Sequence, residues 1–337
     1  MANNIKIKKI VVIGSNSFFG SHFVDQVLTT TDWKVIGISR SPEYKDIFLP
    51  YLYKKRKDKR FQFKRLDVNK DYKKILSLLD KERPDVVVNF AAQGYVPLSW
   101  ESPEDWFNTN CIGIVRLADH LRKQKYLKKY IQISSPEVYG SFTNMKETST
   151  SFNPTTPYAA SKAAGDLFLL ALFHGKNFPV SFVRAANVYG PHQQLYRIIP
   201  STIIQLKKGK ILNLWASGVQ RNFIHVTDAV KGIIKVIQKG KSGKVYHLTA
   251  GKNISIKELV KTICDKMGKS YLKMVKDTPD KAMQRDQIYH LDDRETERSL
   301  GWKPGTSLDR GIQETVRWID ESWDQIKNSS LKYIHKK

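Results

Sequence analysis

The sequence predicts an α/β fold, a doubly wound parallel sheet with a smaller, partly interleaved second lobe. Three observations carry that expectation. Short β-branched runs alternate with helical stretches through the first half, a turn flanked by Gly14 and Gly20 follows the first run, and the alternation loosens beyond about residue 186. The expected strands are 9–13, 33–39, 61–66, 86–90, 130–134 and 180–184, with helical crossovers on both faces. Beyond them, helices are expected at 198–208, 228–238, 256–267 and 308–321, interrupted by short strands at 211–214 and 245–248. This divides the chain into a dinucleotide-binding domain at 1–185 that also takes in 222–250, a substrate lobe at 186–325, and a fraying polar tail at 326–337.

Composition narrows the classes. A hydrophobic fraction of 41% over 337 residues suits a folded chain, and no apolar run reaches the roughly 18 residues that span a bilayer. The opening Met-Ala-Asn-Asn-Ile-Lys runs into a strand pattern without a secretory core, so a cytoplasmic protein with no membrane partner is expected. Cys111 and Cys264 sit singly in helical patterns and read as inert thiols. The net charge of +25 attracts phosphates of any kind. Its densest run, at 54–60, has little aromatic interleaving and the rest is scattered along helices, which reads as solvated surface rather than a nucleic-acid site.

The turn Gly14-Ser-Asn-Ser-Phe-Phe-Gly20 opens a helical pattern, where a dinucleotide's pyrophosphate would meet a helix N-terminus. Ser17 stands where a three-glycine fingerprint has its middle glycine, so Ser17, Phe18 and Phe19 would have to admit close backbone approach; an ordinary strand-turn-helix is the alternative. The second strand ends in Ser39-Arg40 with no acid to grip a ribose 2′-hydroxyl, which favours NADP over NAD. Asp67 and Val68, after the third strand, are placed to meet adenine, or Asp67 simply caps the strand end. Tyr158 and Lys162, four apart, share one helix face; a free phenol titrates near pH ~10 and acts near neutrality only beside a cation.

Taken together, these residues resemble the extended short-chain dehydrogenase/reductase superfamily, from Gly14 to about Trp318. The resemblance rests on the Gly14/Gly20 turn, Asn89-Phe-Ala91-Ala92, Asn110, Ser134-Ser-Pro-Glu-Val-Tyr-Gly140, Tyr158-Ala-Ala-Ser-Lys162 and Arg184-Ala-Ala-Asn-Val-Tyr-Gly-Pro191. Within it the chain is most similar to the nucleotide-sugar 4,6-dehydratases of the dTDP-glucose and GDP-mannose types. The resemblance implies a Rossmann domain, a tightly bound NAD(P)+ contacted also by Ala91, Ala92 and Asn110, and four catalytic residues, Ser135, Glu137, Tyr158 and Lys162. Tyr158, helped by Lys162, would take the C4 hydroxyl proton, and Glu137 the C5 proton as the C6 hydroxyl leaves. Pro136 departs from the dTDP-glucose pattern, in which an aspartic acid protonates that hydroxyl; GDP-mannose enzymes carry serine there.

For an NDP-sugar, the resemblance points to Asn187 and Arg221 at the diphosphate, with Arg285 as a second contact, and to Gln93 and Ser99 at the sugar. His192 and His225 have no partner at metal spacing and read as hydrogen-bonding side chains, so no metal is expected. A homodimer through the segments 103–123 and 158–173 is implied as well. The alternatives are an NDP-sugar 4-epimerase, an NDP-uronate decarboxylase or a 4-keto reductase. Of a different class are a non-catalytic NADP-binding scaffold and a basic nucleic-acid-binding protein.

Overall fold

The computed structural model describes residues 6–53, 57–215, 217–278 and 289–335. Its centre is a seven-stranded, all-parallel sheet in the order β3-β2-β1-β4-β5-β7-β11, made by β1 (Lys9–Ile13), β2 (Lys34–Ser39), β3 (Phe61–Arg65), β4 (Val86–Asn89), β5 (Lys129–Ile133), β7 (Val180–Ala185) and β11 (Val245–Leu248). Side chains alternate along each strand, so the sheet feeds two cores. Ile10 and Val12 pack with α1 (Phe18–Thr30) and α7 (Val226–Lys239); Val11 and Ile13 pack with α2 (Tyr72–Glu82), α4 (Gly113–Leu121) and α5 (Pro157–Lys176). A strand covered on both faces must be apolar throughout. That is why these runs read as unbroken Val and Ile.

The chain direction reverses its lateral progress between β1 and β4, which opens a crevice at the carboxyl ends of those strands. Around it stand the loops after β1, β2 and β4, the short α3 (Pro103–Phe107), and a single π-turn, Asn108–Ile112, that joins α3 to α4.

Past β7 the chain builds a second lobe. It holds β8 (Asn187–Tyr189), α6 (Ile198–Lys207), β9 (Leu212–Leu214), β10 (Gln220–His225), β12 (Asn253–Ser255), α8 (Ile256–Lys266), α9 (Tyr271–Met274), β13 (Val275–Asp277), α11 (Leu308–Glu321) and α12 (Trp323–Ile326). Ile199, Ile203, Leu259, Ile263, Ile312 and Ile319 make its core. β6 (Phe142–Met145) pairs with β14 (Tyr289–Leu291), and α10 (Arg294–Leu300) packs on α7. The short strand at 245–248, within the 222–250 stretch assigned to the dinucleotide-binding domain, is the seventh strand of the main sheet because α7 returns the chain to the α1 layer. Among the described residues no helix is long and apolar enough to cross a membrane.

The segment after α12 departs from the expected fraying. It has no regular structure, yet Tyr333 stacks on Tyr95 and His335 stacks on Trp106. Aromatic burial holds what backbone hydrogen bonding does not.

Candidate active site

Gly14 has φ +87°, and a Cβ there would lie 2.7 Å from the Ala91 nitrogen and 2.8 Å from the Phe90 carbonyl carbon. Only glycine lets the β1 loop pass against the exit of β4. A Cβ on Gly20 would meet the Gly14 oxygen at 2.3 Å. Ser17 fits because its side chain folds into the loop: its hydroxyl donates to the Gly14 carbonyl at 2.7 Å and accepts from the Gly20 N–H at 3.0 Å, capping α1. A tight backbone turn at a helix start fits the pyrophosphate of a nicotinamide dinucleotide. Phe18 and Phe19 turn their rings into the core, Phe19 edge-on to Phe90, leaving only their backbone to face a phosphate.

Ser39, at the end of β2, braces the cradle: its hydroxyl accepts from the Asn16 N–H at 3.0 Å, while the Asn16 amide donates to the carbonyls of Ser41 and Pro42. Asn16 is a supporting residue the sequence pattern did not reveal. Beyond Ser39, Arg40 lines a cavity of about 560 Å³ with Arg65, Lys70, Asp67 and Asp71. The Asp67 carboxylate accepts the Asn69 N–H at 2.7 Å and the Lys70 N–H at 3.3 Å, which makes it the strand-end cap. Val68, beside it, packs partly buried against the core.

At the far end of the crevice α5 is seated by its own sequence. Thr156 caps it by accepting the Ala159 N–H, and Pro157 supplies a first position that needs no N–H. Tyr158 stands half-buried in the first turn, with Lys162 one turn below on the same face, 2% exposed. The Lys162 ammonium donates to the Ile133 carbonyl, the last of β5, at 2.8 Å. Burial pulls its pKa down to about 8, with Asp166 opposing and Arg184 adding to the fall.

Asp166, a turn further along, accepts from the Ser134 hydroxyl at 2.6 Å and from Arg184 of β7 at 2.8 Å; the ion pair is 0% and 1% exposed. Arg184 also lies over the Tyr139 ring at 4.4 Å. This buried pair fixes α5 against the exit of β5, where Ser135 begins a short 3-10 turn, Pro136–Tyr139. The Ser135 hydroxyl accepts the Glu137 N–H at 3.3 Å. Pro136 is buried and Glu137 only partly so. Sequence reasoning missed Asp166, although an acid on the buried stripe four residues after Lys162 is a readable signal.

Asn110 was expected at the cofactor but lies wholly buried in the π-turn. Its amide is spent on the Gln93 backbone, at 2.9 and 3.1 Å, and on the Ser161 hydroxyl at 2.9 Å. It braces the loop carrying Ala91, Ala92 and Gln93 against α5. Ser99, expected at the sugar, is also buried, its hydroxyl donating to the Val96 carbonyl at 2.6 Å inside a 3-10 turn. Asn187 and Arg221 come from the adjacent strands β8 and β10, where Asn187 pairs with Phe223. Arg285 lies outside the described residues. His192 donates to the Ile47 carbonyl at 2.7 Å, and His225 stands 3.5 Å from Glu314.

A glycine cradle at the switch point of a parallel sheet, with a Tyr-x-x-x-Lys helix seated at the next strand exit, defines a nicotinamide-dependent enzyme of the epimerase/dehydratase class. The family model described as GDP-mannose 4,6 dehydratase matches residues 11–315, and the chain belongs to that family. It is 31% identical over 265 residues to the dTDP-D-glucose 4,6-dehydratase of Bos taurus, covering 75% of this chain and 72% of that protein. Among solved structures, the dTDP-glucose 4,6-dehydratase of Bacillus anthracis in complex with NAD superposes with a TM-score of 0.85 at 28% identity, over 96% of this chain and 100% of that one. The Streptomyces venezuelae dTDP-glucose 4,6-dehydratase with NAD and TYD bound gives 0.84 at 29% identity, over 96% and 100%.

Proposed function

We propose that Ser135, Glu137, Tyr158 and Lys162 convert an NDP-hexose to an NDP-4-keto-6-deoxyhexose, the reaction of a nucleotide-sugar 4,6-dehydratase. A nicotinamide dinucleotide, when bound, supplies the acceptor and later the donor of one hydride. Tyr158 takes the proton of the C4 hydroxyl, its phenolate favoured by the Lys162 ammonium, and the Ser135 hydroxyl bonds the same oxygen. The resulting 4-ketone acidifies C5. Glu137 removes the C5 proton and passes it to the departing C6 hydroxyl, so that one carboxyl serves as base and then acid. The buried Pro136 has no proton to offer there.

The observation that carries this reading is Glu137, held on a serine-capped turn directly against the helix of Tyr158 and Lys162. The test is a C4-deuterated NDP-hexose panel followed by mass spectrometry. Loss of one water with deuterium retained at C6 is expected, whereas an isomer of unchanged mass would mean epimerisation. Glu137→Gln stops water loss while reduced nicotinamide still forms; full-rate water loss in that variant removes Glu137 as the base.

Arg221 and Asn187 bind the substrate diphosphate, Arg221 through its planar fork. Arg40, Arg65 and Lys70 around one cavity suit the 2′-phosphate of NADP rather than a bare ribose. A homodimer is favoured by Phe107, Ile112 and Leu167, which are 38%, 39% and 50% exposed on neighbouring turns of the α3, π-turn and α5 surface. Sedimentation that gives only a monomer would sink it.

A further inference from the structure

Residues 331–335 run in alternation, like a strand without a ladder. Leu331 packs on the core of the second lobe, Tyr333 and His335 turn inward, and Ile334 points out at 72% exposed. Tyr333 lies parallel to Tyr95, with ring centroids 4.3 Å apart and planes 8° apart, and edge-on to Tyr196 at 5.2 Å. Tyr95 and Tyr196 meet edge-on at 5.8 Å, so the three rings close a box. Two residues on, His335 stacks on the buried Trp106 at 5.1 Å and pairs with Asp105 at 2.7 Å.

The anchors of this segment are the crevice loops. Tyr95 belongs to the loop after β4, between Gln93 and Ser99; Asp105 and Trp106 are on α3, where that loop ends; Tyr196 precedes α6 beside Arg197. Burial holds the Tyr333 phenol above its ordinary value, while Arg40 and Arg197 both pull it down. Tyr333 therefore stands at the rim of the crevice, between the loop that follows β4 and the segment before α6.

We propose that Tyr333 and His335 are positioning residues of the reaction: they clamp the loop 91–102 from outside, as Asn110 clamps it from inside. The proposal rests on the nucleotide-sugar reading of the crevice. Without the clamp, the loop loses one wall of its aromatic box, and Gln93 and the sugar it meets lose their fixed distance from Tyr158. Tyr333 and His335 are held by Tyr95, Tyr196, Trp106 and Asp105, on the loop after β4, on α3 and before α6. The effect falls on substrate capture.

Tyr333→Ala is expected to raise KM for the NDP-hexose about tenfold, the scale of one or two aromatic contacts, with kcat changed less than twofold. Tyr333→Phe keeps the stack and restores KM. Hydrogen exchange of the backbone at 94–102, measured without substrate, speeds up in Tyr333→Ala and in a chain cut after Ser330, and stays slow in Tyr333→Phe. Unchanged exchange in both the alanine variant and the shortened chain overturns the proposal, as does a Phe variant that behaves like Ala. If the wild-type chain turns over no nucleotide sugar, the functional reading fails while the exchange measurement still judges the clamp.

Discussion

The floor and the rim of the crevice are built on different physics. The floor is made of Gly14, Lys162, Asp166 and Arg184, where every polar side chain is buried, Arg184 meets the Asp166 carboxylate at 2.8 Å and Lys162 donates to the Ile133 carbonyl at 2.8 Å. The rim is made of Arg40, Arg65, Arg221 and the tyrosine box, partly open to water and held by screened charge and ring contact. Water decides the difference: a buried group that loses its partner cannot be rescued by solvent, whereas a rim group can. Chemistry belongs on the floor, where distances are fixed. Selection belongs on the rim, where affinities can be tuned in small steps.

The largest effect that would test this contrast is at Asp166. Asp166→Asn leaves Arg184 charged and without its counter-ion inside the protein, a cost of about 3–5 kcal/mol, so the thermal unfolding midpoint is expected to drop by many degrees. A midpoint close to that of the wild type would show that the pair is not the keystone its burial implies. The double variant with Arg184→Met recovers much of the loss, because no unpaired charge remains.

A smaller effect is readable in pH. With its pKa lowered to about 8, Lys162 is charged below that pH and neutral above it, so turnover should fall on the alkaline side with a midpoint near pH 8. Stability moves the other way. Between about 8 and the ordinary 10.5 the unfolded chain binds the proton that the folded chain has released, so stability rises with pH in that window. Lys129, buried beneath the sheet and also lowered to about 8, adds to the stability slope but is remote from the crevice. A turnover profile flat through pH 8, with the stability slope present, would remove Lys162 from the proposed chemistry.

The smallest effect lies on the rim. Arg40→Ala is expected to weaken NADP binding roughly tenfold at low salt while leaving NAD within about twofold, since only the 2′-phosphate meets the lost cation. Equilibrium titration with both dinucleotides reads the ratio. Equal losses for the two would place Arg40 elsewhere than at the ribose.

What was legible in the sequence follows the range of the interactions. The strands at 9–13 and 245–248 and the helix at 308–321 stand where the pattern puts them, because apolar periodicity is local. The Gly14 turn and the Tyr158–Lys162 face are equally local. Asn110 was legible as a residue of the site region but not as a buried brace, since the Ser161 hydroxyl it bonds lies 51 residues away. The strand at 222–225 was legible, but the three-stranded sheet of β8, β10 and β12 was not, since its pairings join separate stretches of the chain.

The sequence by itself determined the parallel sheet, the dinucleotide cradle and the Tyr158–Lys162 face, because spacing along one strand or helix sets them. Only the tertiary structure decided that Arg184 answers Asp166, that 245–248 completes the main sheet, and that Tyr333 and His335 return to the loop of Tyr95. Those contacts join residues far apart in the chain, and burial and stacking in three dimensions leave no periodic trace in one.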